Sequence, residues 1–425
     1  MQLNEMSKDY SMLVDVENGL ADRRIFTDES IYELEIRTIF QKSWLFIGHE
    51  SEIPNPGDYA TRYMANEPII LVRDSKGTIR AFLNSCPHRG PQICRADYGN
   101  AQSFTCRYHG WTFLNNGQLI STAGEKELYE GKMDFSRWGL LPLAKVETYK
   151  GLIFATWDPE SPSLDAYLGD MKWYIDLHFG RTPQNMEVLG PPHRWEVEMN
   201  WKVGALNFGA DGPHAVWVHG HAVEAMLGAA KEQLAGALMQ SPAICLNNGH
   251  ATIMGLLPEQ APSNLGFCPD LISLYRDTLE PTQDKLRSKL LVQVANVFPN
   301  FSFQGAGGFL NLRTWVPLGP NRVQVWNWFA VEKEASESWK KEVAARAIRM
   351  VSVSGTLDPD DTELWQAAGI GMKSNRMPVN FQMTLPWKNK PWKDFPGPGT
   401  AYASAYSEMS EFHILKEWQK RILER

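Results

Sequence analysis

The chain has 425 residues, 43% of them hydrophobic and 21% charged, an ordinary globular balance and a length that predicts two domains. Forty-two basic residues against forty-nine acidic ones leave a formal charge of −7, so there is no basic excess to suggest a nucleic-acid partner. No apolar run approaches the ~18 residues that a membrane-spanning helix requires.

The N-terminal stretch MQLNEMSKDY has neither a basic segment nor an apolar core, and so carries no secretion signal. Segment 27–44 opens on Thr27 or Asp28 as a helix cap and places apolar residues at helical spacing. From about 45 to 163 the pattern changes to short β-branched and aromatic stretches between Gly, Asn and Asp turns, among them EPIILVRD, TIRAFLN, SFTCRYHGW and GLIFATWD. These predict a small all-β domain. Beyond Pro159 and Pro162, SLDAYLGDMKWYIDLHF reads as helix and RWEVEMNWKVG as a strand running into a turn. NRVQVWNWFAVE reads as a strand and ASESWKKEVAARAIRMVSV as a helix. SAYSEMSEFHILKEWQKRILER predicts a terminal amphipathic helix. The expected fold class is α+β: residues 1–44 belong with a larger α+β domain at 164–425, and an all-β domain at 45–163 is inserted between them.

The densest chemistry lies in that β domain. Cys86-Pro-His88 is followed, after seventeen intervening residues, by Cys106-Arg-Tyr-His109, giving C-x-H and C-x2-H on two short turns. A Rieske [2Fe–2S] centre needs two Cys on one iron and two His on the other. Each turn here supplies one of each. Two Cys and two His also suit a structural zinc ion. Zinc sites, however, usually pair like ligands within a turn, whereas here they alternate. The five cysteines are Cys86, Cys94, Cys106, Cys245 and Cys268. With two committed to metal an odd three remain, which argues against a disulfide framework and for a reducing cytoplasm.

Downstream, NWKVGALNFGADGPHAVWVHGH gathers Asp211, His214, His219 and His221, and DPDDTELW adds Asp358, Asp360 and Asp361. Two His and one carboxylate on one face of an iron ion form the facial triad of non-haem Fe(II) oxygenases. On a regular helix at ~100° per residue, 214 and 218 align better than 214 and 219. His214 and His219 can share an ion only if the helix breaks, and Gly209, Gly212 and Pro213 favour a break.

With these motifs on hand, the chain resembles the large α subunit of Rieske non-haem iron aromatic-ring-hydroxylating dioxygenases. RRIFTDESIYELEIRTIFQKSWLFIGHESEIPNPGDY, FLNSCPHRGPQIC, FTCRYHGWTF, NWKVGALNF and FPNFSF carry the resemblance over nearly the whole chain. It implies a larger domain of helix-grip type. It implies that Cys86, His88, Cys106 and His109 hold the cluster and that His214, His219 and Asp361 hold a mononuclear iron. Asp360 competes with Asp361, and His221 with His219. Asp211 would hydrogen-bond a metal His and reach a cluster His of the neighbouring subunit, a role that metal-bound His commonly requires. A plain helix cap is the simpler role for Asp211. Asn207 would sit near the iron. Where many relatives carry Glu and Tyr, this chain has Leu206 and Pro213.

The resemblance further implies a terminal oxygenase. NADH would reduce a separate reductase, often through a ferredoxin, and both atoms of O2 would enter an aromatic ring as a cis-dihydrodiol. No G-x-G-x-x-G opens a helix after a strand, in keeping with a separate reductase. Phe208, Ala215, Val351 and Leu357 would line an apolar pocket suited to an unsubstituted mono- or polycyclic arene. An aromatic carboxylate such as salicylate or benzoate, or a monooxygenation, is the alternative. Arg89, Arg95 and Arg107 would form a docking patch for an acidic ferredoxin. The family assembles as α3 or α3β3, which implies a homotrimer of this chain, with or without a small β subunit.

Overall fold

The computed structural model describes residues 10–227, 231–257, 268–306, 308–381 and 390–424. It forms two compact units, one spanning Phe40–Leu164 and the other joining the residues up to Ile39 with those from Asp165 onward. The chain is α+β, with the smaller unit inserted in the larger.

The smaller unit consists of three antiparallel sheets. Ile79–Leu83, Glu67–Arg73, Asp58–Met64 and Tyr98–Asn100 form the first, in that spatial order. Lys145–Tyr149, Leu152–Thr156 and Leu45–His49 form the second, and Leu119–Ser121, Thr112–Leu114 and Ser103–Thr105 the third. Ile70, Val72, Phe82, Phe104, Trp111 and Phe113 share one buried cluster with Cys86 and Cys106. The cysteines are thus set into the apolar core at strand ends.

In the larger unit a nine-stranded antiparallel sheet runs from Met186–Val188 through Arg322–Glu332, Phe309–Gly319, Phe301–Ala306, Leu290–Val297, Ala251–Leu256 and Ala243–Cys245 to Thr400–Tyr402. His193–Val197 also pairs with Arg322–Glu332. Helix α1 (Trp201–Ala210) packs on the four strands between 251 and 319, and the C-terminal helix (Met409–Leu423) packs on α1 and the sheet edge. α1 is thereby held on two sides.

The N-terminal segment closes this arrangement. Asp28 caps the helix Glu29–Glu35 by accepting from the backbone N–H groups of Ser30 and Ile31 at 2.8 and 3.3 Å. The helix loosens into a π turn over Ile36–Phe40. Glu35 is fully buried and accepts from Trp201 Nε1 at 2.8 Å, Trp418 Nε1 at 2.6 Å and Lys202 Nζ. Lys202 is itself fully buried beneath the rings of Trp201, Trp418 and Phe26. One carboxylate therefore ties the chain start, α1 and the last helix together. Removing one member of such a pair strands a buried charge, at about 3–5 kcal/mol.

Two elements differ from expectation. The helix expected over 163–179 is two, Leu164–Leu168 and Met171–Phe179, because Gly169 takes φ +47 between them. The expected turn after RWEVEM is instead the start of α1, capped by the Asn200 side chain, which accepts from Lys202 N at 3.0 Å. None of the described helices is long and apolar enough to cross a membrane.

Candidate metal centres

The two Cys–His turns of the smaller unit are built alike. In the first, Cys86 N–H donates to Pro91 O at 3.0 Å and Gly90 N–H to Cys86 O at 2.8 Å. In the second, Cys106 N–H donates to Trp111 O at 2.8 Å and Gly110 N–H to Cys106 O at 2.9 Å. Gly90 and Gly110 lie at φ +82 and +68, a region costly for residues with a Cβ. The Asn84 side chain stitches the first loop shut: its Oδ1 accepts from the N–H groups of Ile93 and Cys94 at 3.0 Å, and its Nδ2 donates to Cys94 O at 2.8 Å.

The turns bring their ligands to one place. The His88 and His109 rings lie 4.6 Å apart, and His88 stacks on Trp111 at 4.9 Å and 3°. Cys86 and Cys106 sit behind them, 3% and 1% exposed. Burial pushes the Cys86 thiol up and Cys106 beside it adds to the effect, while the backbone N–H groups of His88 and Arg89 favour the thiolate. His88 Nδ1 is buried and has no hydrogen-bond partner. A buried ring nitrogen without a partner, opposite two core thiols, fits a [2Fe–2S] cluster held by two Cys and two His.

The second centre forms where α1 ends. Asp211 interrupts the helix and caps the next one, α2 (Gly212–Trp217), its Oδ1 accepting from His214 N at 3.2 Å. Gly212 is required there, because a Cβ would meet the carbonyl oxygen of Ala405 at 2.3 Å. Pro213 fits the first turn, where its missing N–H is not needed. α2 stops at Trp217, residues 218 and 219 form a turn, and α3 (Gly220–Leu227) begins. This break carries His219 round to face His214, with ring centres 5.3 Å apart at 80°.

Asp361 arrives from the first turns of α4 (Asp358–Gly371). Its Oδ1 is 3.0 Å from His219 Nε2 and 3.9 Å from His214 Nε2, and one donor atom from each of the three residues lies within 4.8 Å of the others. Bonds of about 2.0–2.2 Å to a common ion place neighbouring donors about 3 Å apart, so the set fits a metal with modest closure. His219 and Asp361 are buried, whereas His221 and Asp360 face solvent. Asp211 serves in two ways: it is a helix cap, and its backbone oxygen accepts a hydrogen bond from His214 Nδ1–H. That bond makes Nε2 the nitrogen that faces Asp361, the one that gives up its proton when a metal binds. Burial works against charge on His214, but Asp211 and Asp361 together raise its pKa to about 9 in the absence of metal. Burial likewise opposes charge on Asp211, but hydrogen bonds from His214 and Asn207 hold its carboxyl low. Two carboxylates and two imidazoles with this bias attract a cation.

The four residues expected to line a pocket occupy separate surroundings. Val351 and Leu357 pack with Phe309, Phe329, Val343 and Ala347. Ala215 packs with Val216, Leu238 and Ala405. Phe208 meets Trp315 edge-on at 5.3 Å and lies under the Arg313 guanidinium at 4.9 Å. Arg89, Arg95 and Arg107 are all exposed, and Tyr108 is 60% exposed beside His109. Sequence reading passed over Arg313. Its signal was one charge within the apolar strand FLNLRTWVPLG.

The chain matches two family models, the Rieske [2Fe-2S] domain over residues 43–145 and the ring hydroxylating α subunit catalytic domain over residues 164–408. It is 36% identical to the biphenyl 2,3-dioxygenase subunit α of Rhodococcus jostii (strain RHA1), covering 96% of this chain and 90% of that one. It is 36% identical to a benzene 1,2-dioxygenase subunit α of Pseudomonas putida, covering 96% and 92%. The solved structure of naphthalene 1,2-dioxygenase from Rhodococcus sp. bound to indole superposes with a TM-score of 0.90 at 34% identity, covering 95% of this chain and 94% of that one. A Rieske [2Fe–2S] cluster and a mononuclear non-haem iron are the cofactors of this architecture. The chain belongs to the ring-hydroxylating dioxygenase α-subunit family, as an oxidoreductase with a Rieske domain and a catalytic iron domain.

Proposed function

We propose that this chain is the terminal oxygenase of a multicomponent dioxygenase that cis-dihydroxylates an unsubstituted mono- or polycyclic arene. Cys86, His88, Cys106 and His109 hold the cluster, and His214, His219 and Asp361 hold the iron. The observation that carries the reading is the convergence of those last three side chains, while His221 and Asp360 turn to solvent. When bound, the cluster delivers single electrons and the iron activates O2 for addition to the ring.

The chain's own residues prepare the site. Asp211 fixes the tautomer and direction of His214, and Asn207, 9% exposed and hydrogen-bonded to Asp211, steadies that carboxylate. Phe208, Ala215, Val351 and Leu357 remain apolar candidates for contact with the ring, each from its own packing cluster. Arg313, the buried cation beside Phe208, is already paired with Asp358, so it does not favour a carboxylated substrate. The relatives named for biphenyl and benzene, and the solved structure with indole bound, support an aromatic hydrocarbon.

Electrons come from NADH through a reductase and a ferredoxin, for which exposed Arg89, Arg95 and Arg107 offer a basic patch. Assembly is an α3 or α3β3 ring in the cytoplasm, and Asp211 links the iron of one subunit to the cluster of its neighbour. The test is a single turnover of dithionite-reduced protein with benzene, naphthalene or biphenyl under labelled O2. A cis-diol carrying two labelled atoms is expected. One labelled atom per product, or reaction with salicylate or benzoate alone, would overturn the proposal.

A further inference from the structure

We propose that Arg313 and Asp358 form a buried positioning pair that sets the Asp361 carboxylate against His214 and His219 and so determines how tightly the iron is held. The inference rests on Asp361 being an iron ligand. Asp358 is the first residue of α4, one turn ahead of Asp361, and both belong to its first turns. It is 2% exposed, and Arg313 Nη2 contacts its two oxygens at 2.7 and 2.5 Å. Arg313 is itself fully buried in the strand Phe309–Gly319.

Arg313 is held through Nε and Nη2, while its buried Nη1 has no hydrogen-bond partner. Its Nε donates to Asn327 Oδ1 at 3.1 Å on the neighbouring strand, directly across the ladder. Asn327 Nδ2 in turn donates to Val351 O at 2.9 Å, tying down the segment that leads into α4. Phe208, Trp195 and Trp315 lie within 4.9 to 5.9 Å of the guanidinium carbon. Phe208 stands on α1, three residues before Asp211. Arg313 therefore touches the sheet, the start of the helix that carries Asp361, and the helix that leads to His214.

The electrostatics need the pair as much as the geometry does. Burial works against the charge on Asp358, Arg313 offsets it, and of the nearer site groups Asp361 adds to the penalty while His219 reduces it. Without the guanidinium two carboxylates would crowd one helix start, and Asp361 would be pushed from its line to the histidines. Partners that hydrogen-bond a metal ligand directly typically govern about 10–100-fold in affinity, and a pair acting on Asp361 through the helix start is expected at the lower end.

The experiment removes the mononuclear iron from the purified protein with a chelator, leaving the cluster in place, and reloads Fe(II) in competition with the chelator. Bound iron is counted per cluster, and melting and near-ultraviolet dichroism report folding. The Arg313→Met/Asp358→Asn double variant neutralises both partners without stranding a charge. It is expected to melt near the parent yet bind Fe(II) at least tenfold more weakly, with the cluster unchanged. Binding within twofold of the parent overturns the proposal. If the double variant does not fold, Arg313→Lys decides, because it keeps the charge but not the planar fork. Weaker iron binding in a fully folded Arg313→Lys protein supports the pair, and parental affinity overturns it. Asp361→Ala is the reference, expected to lose the iron. If it binds Fe(II) as tightly as the parent, the ligand assignment fails, and this inference with it.

Discussion

Asp211 carries two separable functions, and two substitutions can pull them apart. Its carboxylate caps α2 through His214 N at 3.2 Å, and its charge stands 3.6 Å from His214 Nδ1. His214 Nδ1–H donates to the Asp211 backbone oxygen, which any side-chain substitution leaves in place. Asp211→Ala removes the cap, at about 1 kcal/mol, and also the charge. Asp211→Asn keeps a cap of equal quality and removes only the charge. Both variants should therefore bind Fe(II) about tenfold more weakly, which corresponds to about 1.4 kcal/mol, while only the Ala variant loses stability. At saturating iron both metals remain bound. Re-oxidation of the reduced cluster during turnover should slow in both variants. Chemical denaturation of the iron-loaded proteins and Fe(II) competition with a chelator read the two quantities independently. An Asn variant with parental iron affinity would show that the carboxylate charge does not support His214. An Asn variant as unstable as the Ala variant would show that Asp211 does not stabilise α2 as its cap.

Three further outcomes are expected. Asp361→Ala should reduce mononuclear iron to background, whereas Asp360→Ala and His221→Ala should keep a parental iron-to-cluster ratio, since both face solvent; metal analysis on one preparation checks this. Burial lowers the pKa of His49 and His250 to about 4 and that of His178 to about 3, with Arg181 adding to the last. Each is thus neutral in the fold and charged in the unfolded chain below about pH 6.5, so their stability is present above that pH and lost as it falls toward 4, by about 1.4 kcal/mol per pH unit for each proton taken up. His250 shows why: its Nδ1 accepts from Phe298 N–H at 3.0 Å, and a second ring proton would destroy that bond. The melting temperature of the iron-loaded protein should fall steeply from pH 6.5 to 5, and a flat profile would contradict the assignment. Finally, Arg95→Glu with Arg107→Glu should slow reduction of the cluster by ferredoxin but not by dithionite, as stopped-flow absorbance at two ionic strengths would show.

The cluster turns were legible because their chemistry is local. Each Cys lies two or three residues from its His, and Gly90 and Gly110 sit where the hydrogen bonds of the turn demand a left-handed residue. Short β-branched and aromatic stretches between turn residues likewise marked several strands, and Asp28, read as a candidate cap, stands at a helix start where its side chain satisfies free N–H groups. Gly212 and Pro213 foreshadowed the break at Asp211 but not the one at 218–219, and only the packing of Gly212 on Ala405 explains why α2 is placed as it is.

What the sequence by itself could not decide were choices between neighbours and contacts between distant segments. Asp360 and Asp361 are chemically equal in the string DPDD. The register of α4, pinned by Arg313 on Asp358, turns one to water and the other to the histidines. The apolar residues expected to share a pocket divide among separate packing clusters, because hydrophobicity specifies burial and not which neighbours are met. The Glu35–Lys202 tie and the Arg313–Asn327–Asp358 chain join residues from separate stretches of sequence. Local sequence determined the two Cys–His turns because a few adjacent bonds suffice to shape them; the grouping of His214, His219 and Asp361 was decided by the tertiary structure, since their donor atoms converge only once the sheet and its helices are assembled.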